Sequence, residues 1–272
     1  MNHSATNNSE VTLSEKALLD RIKFLEHVIE VQEKVKIETD ISLLRETESN
    51  QTKSRFVSIA SHEFRTFLTR IHLSASLIRD YHDRLDQEKI FLHLDKIKVA
   101  VGDLTTMLED FLSIEKIDSL KIVPVWSTFN LSSLANEVVK EMQPLTKSGQ
   151  QIKYEHSGTD TNVNLDKKLL KHCLVNLISN AIKYSNAHKC ITLMTDIQDG
   201  SCQISIRDEG IGIPESDQAH LFEAFFRANN TANIQGAGLG LNIVKRYAEL
   251  MKGRINFQST ENIGTVFTLS FP

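Results

Sequence analysis

Ser61-His62-Glu63-Phe64-Arg65-Thr66 lies inside a run in which Val57, Ala60, Phe64, Leu68, Ile71, Ala75 and Ile78 recur three or four residues apart. That period predicts a helix from about Ser54 with one apolar face, and it leaves His62, Arg65 and Thr69 off that face. A turn is expected near Asp83 to Gln87, after which Ile90, Leu94, Ile97, Val101, Leu104, Leu108 and Phe111 predict a second helix to about Lys116. Two helices alone cannot bury both stripes. Pairing with a second copy is the economical solution, so a homodimer with a four-helix bundle is expected.

Upstream of this hairpin, Leu18, Ile22, Leu25 and Ile29 have the spacing of a coiled-coil seam. The seam slips at Gln32, Lys36 and Thr39, and a solvated helix with scattered aliphatics also fits. Downstream of Pro124 the pattern changes to short β-rich runs alternating with helices. Strands are expected at Ile122 to Val125, Ile152 to His156, Ile191 to Ile197, Cys202 to Arg207, Arg254 to Gln258 and Thr265 to Phe271. Helices are expected at Leu131 to Lys147, Asp166 to Tyr184 and Leu239 to Met251. The chain therefore divides into an N-terminal signalling helix (1–52), a helical dimerisation domain (53–119) and an α/β domain (120–272), an α plus α/β architecture overall.

Composition excludes several classes. With 272 residues, 40% of them hydrophobic and 24% charged, the chain has the balance of a soluble globular protein. A net charge of -4 and the lack of any basic cluster interleaved with aromatics argue against nucleic acid as a partner. No run approaches a membrane span and no secretory leader is evident, so the chain is expected in the cytoplasm, alone or as the cytoplasmic part of a larger sensor. Cys173, Cys190 and Cys202 are odd in number and form no CxxC pair; they read as reduced core residues.

Three segments in the second half carry chemistry. Asn176, Asn180 and Lys183 fall on one helix face, where amides and an ammonium can hold a metal and phosphates. Structural polar roles fit these residues equally well. Asp208-Glu209-Gly210-Ile211-Gly212-Ile213-Pro214 directly follows a strand. Its aspartate can accept from an exocyclic amine such as that of adenine, although a plain turn uses similar residues. Gly236-Ala237-Gly238-Leu239-Gly240-Leu241 opens an apolar helix, the arrangement in which free N–H groups receive phosphate.

In this order the segments resemble the sensor histidine kinases of two-component systems, from about Lys53 to Pro272. His62 to Thr66 is similar to the family's phosphoacceptor box, Asn176 to Ser185 to its asparagine box, and Asp208 to Gly212 to its first glycine box. Leu221-Phe222-Glu223-Ala224-Phe225-Phe226-Arg227 resembles the phenylalanine box, and Gly236 to Leu241 the second glycine box. The resemblance implies a HisKA-type dimerisation and phosphoacceptor domain joined to an ATP-binding α/β sandwich of the Bergerat (GHKL) fold. No GxxxxGK[ST] P-loop occurs.

What the resemblance implies for chemistry is specific. His62 accepts the γ-phosphoryl group of ATP, Glu63 acts as its base, and the group passes to an aspartate on the receiver domain of a response regulator, a separate chain. Thr66 positions water for dephosphorylating that regulator, and Arg65 contacts phosphate or a partner acid. Asn180 ligates Mg2+, with Asn176 and Lys183 nearby, Tyr184 packs beside the purine, and Asp208, Gly210, Gly212 and Ile213 read adenine. Phe222, Phe225 and Phe226 anchor a lid over the nucleotide, Arg227 meets phosphate or the helical domain, and Gly236, Gly238, Leu239, Gly240 and Leu241 cradle phosphate. Surface or core roles remain open for Arg65, Thr66 and the phenylalanines.

Two departures stand out. Phe67 occupies the place where the family usually has proline, restoring a backbone donor and straightening the helix. Ala237 stands where threonine is common. The first leaves open a phosphatase-dominant protein or a dimeric scaffold that recruits a regulator.

Overall fold

The computed structural model describes residues 61, 64–81, 86–119, 121–198, 200–231, 234 and 236–272. The predicted seam before residue 53 and the pair His62 and Glu63 lie outside the described residues. Everything described falls within one unit that runs from Ala60 to Pro272.

The first helix, α1, covers residues 64–81. The second, α2 (Gln87–Asp118), starts where the Asp86 carboxylate accepts from the Lys89 amide at 2.8 Å, closing the first turn as an N-cap. The hairpin contact is made by Phe67 and Met107, both 4% exposed, with Phe64, Leu104 and Phe111 around them. Ala100, Met107 and Ile114 are buried along α2, one every seven residues. These three lie beside the expected stripe, of which Leu94, Val101 and Leu108 are exposed, as is Leu68 on α1. The apolar surface of each helix is wider than one contact: its inner part meets the other helix of the same chain and its outer part does not.

The α/β part begins with β1 (Ser127–Asn130), not with the strand expected at Ile122 to Val125. Residues 121–126 form no ladder; Pro124 has no N–H to offer one. β1 pairs antiparallel with β3 (Asn162–Leu165), a strand too short for its periodicity to register. Between them, α3 (Leu131–Met142) is capped by the Asn130 side chain and ends five residues earlier than expected. Pro144 lacks an amide and forces the chain into a short 3-10 turn at Gln143–Leu145.

The main sheet has the order β2-β4-β5-β7-β6, with β2 (Gln151–Gly158) parallel to β4 (Cys190–Gln198). β5 (Ser201–Asp208), β7 (Gly264–Phe271) and β6 (Arg254–Thr260) join antiparallel. Strict alternation puts Ile191, Leu193 and Ile197, then Cys202, Ile204 and Ile206, then Phe267, Leu269 and Phe271 on the buried face. On that face lie α3, α4 (Lys167–Tyr184) and, after the single-turn helix α5 (Glu215–Gln218), α6 (Gly240–Leu250); α3, α4 and α6 each contact the sheet. The result is a two-layer sandwich. Cys173 and Cys202 belong to this core, and burial pushes the Cys202 thiol up to about 12. Cys190, at the start of β4, is only half-buried, a correction to the expectation that all three are core.

Candidate nucleotide-binding site

Helix α4 is fixed at its start by Asp166, whose carboxylate accepts from the amides of Lys168 and Leu169 and, at 2.7 Å, of Val125. Leu170, Cys173, Leu174, Leu177, Ile178 and Ala181 turn into the core. The opposite side, with Asn176, Asn180, Lys183 and Tyr184, lines a cavity of about 520 Å³. Asp208, Gly212 and Ile213 enter it from the end of β5, and Gly236 to Leu241 from the start of α6. Phe226 and Arg227 close it from the loop between.

Asp208 is 8% exposed, and its carboxylate accepts from the Gly210 amide at 2.8 Å. Burial pushes its pKa up to about 6, against the pull of the amides of Gly210 and Thr265. An acid that is ionised at neutral pH but poorly solvated gains most from a donor brought by a ligand. Gly240 approaches the asparagine segment so closely that a Cβ would stand 2.6 Å from Asn176 Oδ1. Because α6 has no side-chain N-cap, its first amides are available to an anion.

The loop over the cavity is braced from below. Buried Asp217 accepts from the backbone and side-chain amides of Asn229 at 2.7 and 2.9 Å, and Asn230 Nδ2 donates to the Gly212 carbonyl at 3.1 Å. The Arg227 guanidinium donates to the carbonyls of Thr231, at 2.8 Å, and Ile234. The Phe225 amide donates to Gly238 O at 2.9 Å.

Not every expected residue lines this space. Phe222 stacks edge-on against Phe257 with ring centroids 5.8 Å apart, and its carbonyl accepts from Asn242, so it ties the loop to the sheet and to α6. Gly210 lies behind Asp208 against the Tyr184 carbonyl. Exposed Arg65 and half-buried Thr66, on α1, are not on the cavity wall. Conversely, Thr106, Glu109 and Asp110 of α2 reach it, as do His172 and Thr265. Asp110 Oδ1 stands 3.7 Å from His172 Nε2, and His172 meets Tyr247 edge-on at 5.3 Å. No spacing rule would have found the α2 residues, since their role depends on how the hairpin packs on the α/β layer.

The cavity lies on an α/β sandwich preceded by a helical hairpin. Residues 165–272 match the family of histidine kinase-, DNA gyrase B- and HSP90-like ATPases, and residues 52–120 match the His Kinase A phospho-acceptor domain. The chain belongs to the histidine kinases that combine these two domains. It is 30% identical over 230 residues to the circadian input-output histidine kinase CikA of Synechococcus elongatus, covering 82% of this chain and 30% of that protein. Against the histidine kinase AdeS of Acinetobacter baumannii the TM-score is 0.59 at 24% identity, over 77% of this chain and 96% of that one. Histidine kinase ThkA, solved in complex with the response regulator TrrA, gives 0.59 at 23% identity over 80% and 61%. These two likenesses speak for the fold. The chain spans less than a third of the length of the curated relatives it matches.

Proposed function

We propose that this chain is the ATP-dependent protein-histidine kinase core of a two-component system. The observation that carries the reading is a single cavity in which the asparagine segment, the Asp208 turn and the second glycine segment meet around a buried carboxylate. Asp208 accepts from the exocyclic amine of adenine, and the α6 amides and Lys183 meet the phosphates. The oxygen-donor set fits Mg2+: Asn180 and Asn176 offer neutral carbonyl oxygens, suited to an ion that keeps several waters and shares the triphosphate. When bound, the ion offsets charge on the bridging oxygens.

In the transfer itself an imidazole nitrogen of His62 forms a bond to the γ-phosphorus as the bond to the β,γ-bridging oxygen breaks, releasing ADP; Glu63 orients the ring and takes its proton. The phosphoryl group then moves to an aspartate of a response regulator in another chain, and Thr66 serves the reverse, hydrolytic activity on that regulator. The exposed Leu68, Leu94, Val101 and Leu108 support a homodimer through the hairpin. The domain limits of 1–52, 53–119 and 120–272 belong to the same reading. Among the described residues no helix is long and apolar enough to cross a membrane.

The test is label transfer from γ-labelled ATP with Mg2+ into the protein and into His62→Gln. Acid-labile, alkali-stable label that disappears in the variant is the expected result. Nucleotide binding without label would favour the phosphatase-dominant reading, for which buried Phe67 is the specific observation.

A further inference from the structure

Residues 147–150 are not on the cavity wall, yet they hold the end of the helix that forms it. The last carbonyls of an α-helix have no partner within it and need one from outside. At the end of α4, Lys147 Nζ donates to the carbonyls of Lys183 at 2.8 Å and Ser185 at 2.6 Å. The Gln150 amide, in a side chain on a residue only 3% exposed, donates to Ser185 at 3.2 Å, Asn186 at 2.9 Å and Ile182 at 3.4 Å. Its Oε1 accepts from the Lys147 amide at 2.8 Å, which joins the two residues into one clamp. The Lys147 ammonium also complements the negative end of the helix dipole.

The remaining carbonyl of this turn, that of Tyr184, accepts from the Ile211 amide at 3.1 Å. Gly210 stands against the same spot: a Cβ there would lie 2.6 Å from Tyr184 O and 2.7 Å from Asp208 Oδ1. The turn that orients Asp208 therefore rests on the end of α4, and that end is secured from its other side by Lys147 and Gln150.

We infer that Lys147 and Gln150 are positioning residues for base recognition, fixing the end of α4 so that Gly210 and Asp208 keep the geometry that reads the adenine ring. This rests on the adenine-nucleotide reading above. Of the groups that meet the phosphates, Lys183 belongs to the clamped turn and is held there by its carbonyl, while Asn176, Asn180 and the start of α6 lie farther along, so loss of the clamp weakens base affinity more than phosphate affinity.

Calorimetric binding of ADP, adenosine and inorganic tripolyphosphate to the wild type, Lys147→Met, Lys147→Arg and Gln150→Leu tests this. ADP and adenosine bind roughly tenfold more weakly to Lys147→Met and Gln150→Leu. Lys147→Arg stays within about twofold of the wild type, because a guanidinium can donate to the same carbonyls. Tripolyphosphate affinity changes by less than about threefold across the four proteins, since of its contacts Lys183 alone lies in the clamped turn. Unchanged adenosine binding in Lys147→Met, or an equal loss for adenosine and tripolyphosphate, overturns the inference. Lys147 is exposed, so its two variants decide the matter even where Gln150→Leu fails to fold. A wild type that binds neither ADP nor adenosine would instead overturn the nucleotide reading itself.

Discussion

Phe67 of α1 and Ala237 of the glycine-rich segment before α6 pack in one apolar cluster, with Met107, Leu104, Phe111 and Phe64 completing it. The two residues are 170 positions apart, and each departs from what is usual in the family. A large ring on α1 and a small methyl on the glycine-rich segment thus belong to one apolar cluster.

Substitution at Phe67 should shift the balance between autophosphorylation and regulator dephosphorylation. Phe67→Pro removes a backbone donor and bends the helix, while Phe67→Ala removes about 2 kcal/mol or more of buried apolar contact. The ratio of the two rates is expected to change by about tenfold in either variant. Equal ratios in the wild type and both variants would sink the idea. A cycle combining Phe67→Ala with Ala237→Gly should give effects that do not add.

Adenine nucleotide affinity should fall as pH drops through about 6. The folded-state pKa of Asp208 is raised from 3.8 to about 6 by burial, so its carboxylate, the better acceptor, is lost across that range. The sign for stability is the reverse: without ligand the native state holds this proton more tightly than the unfolded chain, so Asp208 makes stability fall as pH rises from about 4 to 6. Asp208→Asn should remove both dependences. A titration of ADP affinity between pH 5 and 8, roughly the span in which the carboxyl changes state, would reveal a flat profile if Asp208 is not the reader.

Gly240→Ala should cost nucleotide binding more than it costs folding. The added methyl would stand 2.6 Å from Asn176 Oδ1, so the Asn176 side chain must turn from its place on the cavity wall. A loss of at least tenfold in ATP-analogue affinity with a small change in melting temperature is expected. Wild-type affinity in a folded variant would show that this contact is dispensable.

Asp217→Ala should loosen the loop over the cavity. Two donors of Asn229 lose their acceptor, worth about 1 to 3 kcal/mol between them. Faster limited proteolysis between residues 228 and 238, with a raised KM for ATP and little change in kcat, is the expected outcome. Unaltered cleavage would assign Asp217 a purely local role.

The sequence was most legible where periodicity is strict. The β4, β5, β6 and β7 segments alternate with period two and were found within a residue or two of their ends, because a strand buried on one face leaves that signature. α4 was equally plain, from its Asp166 cap to Tyr184. β3 was missed because four residues are too few to establish a period. The apolar pattern runs on beyond Met142, but Pro144 ends α3 there.

Sequence by itself determined the fold class and the order of the boxes, and it singled out Asn176, Asn180, Asp208 and the second glycine segment as candidates, since each follows from local period, turn chemistry or motif. Tertiary structure alone decided that Phe222 braces the loop and does not line the cavity, that Asp110 and His172 face each other, that Phe67 and Ala237 share one apolar cluster, and that Lys147 and Gln150 hold the end of α4. The physical reason is common to all four. Local pattern fixes which side of an element is apolar, but which particular neighbour fills that side depends on packing between segments far apart in the chain, and no spacing rule encodes it.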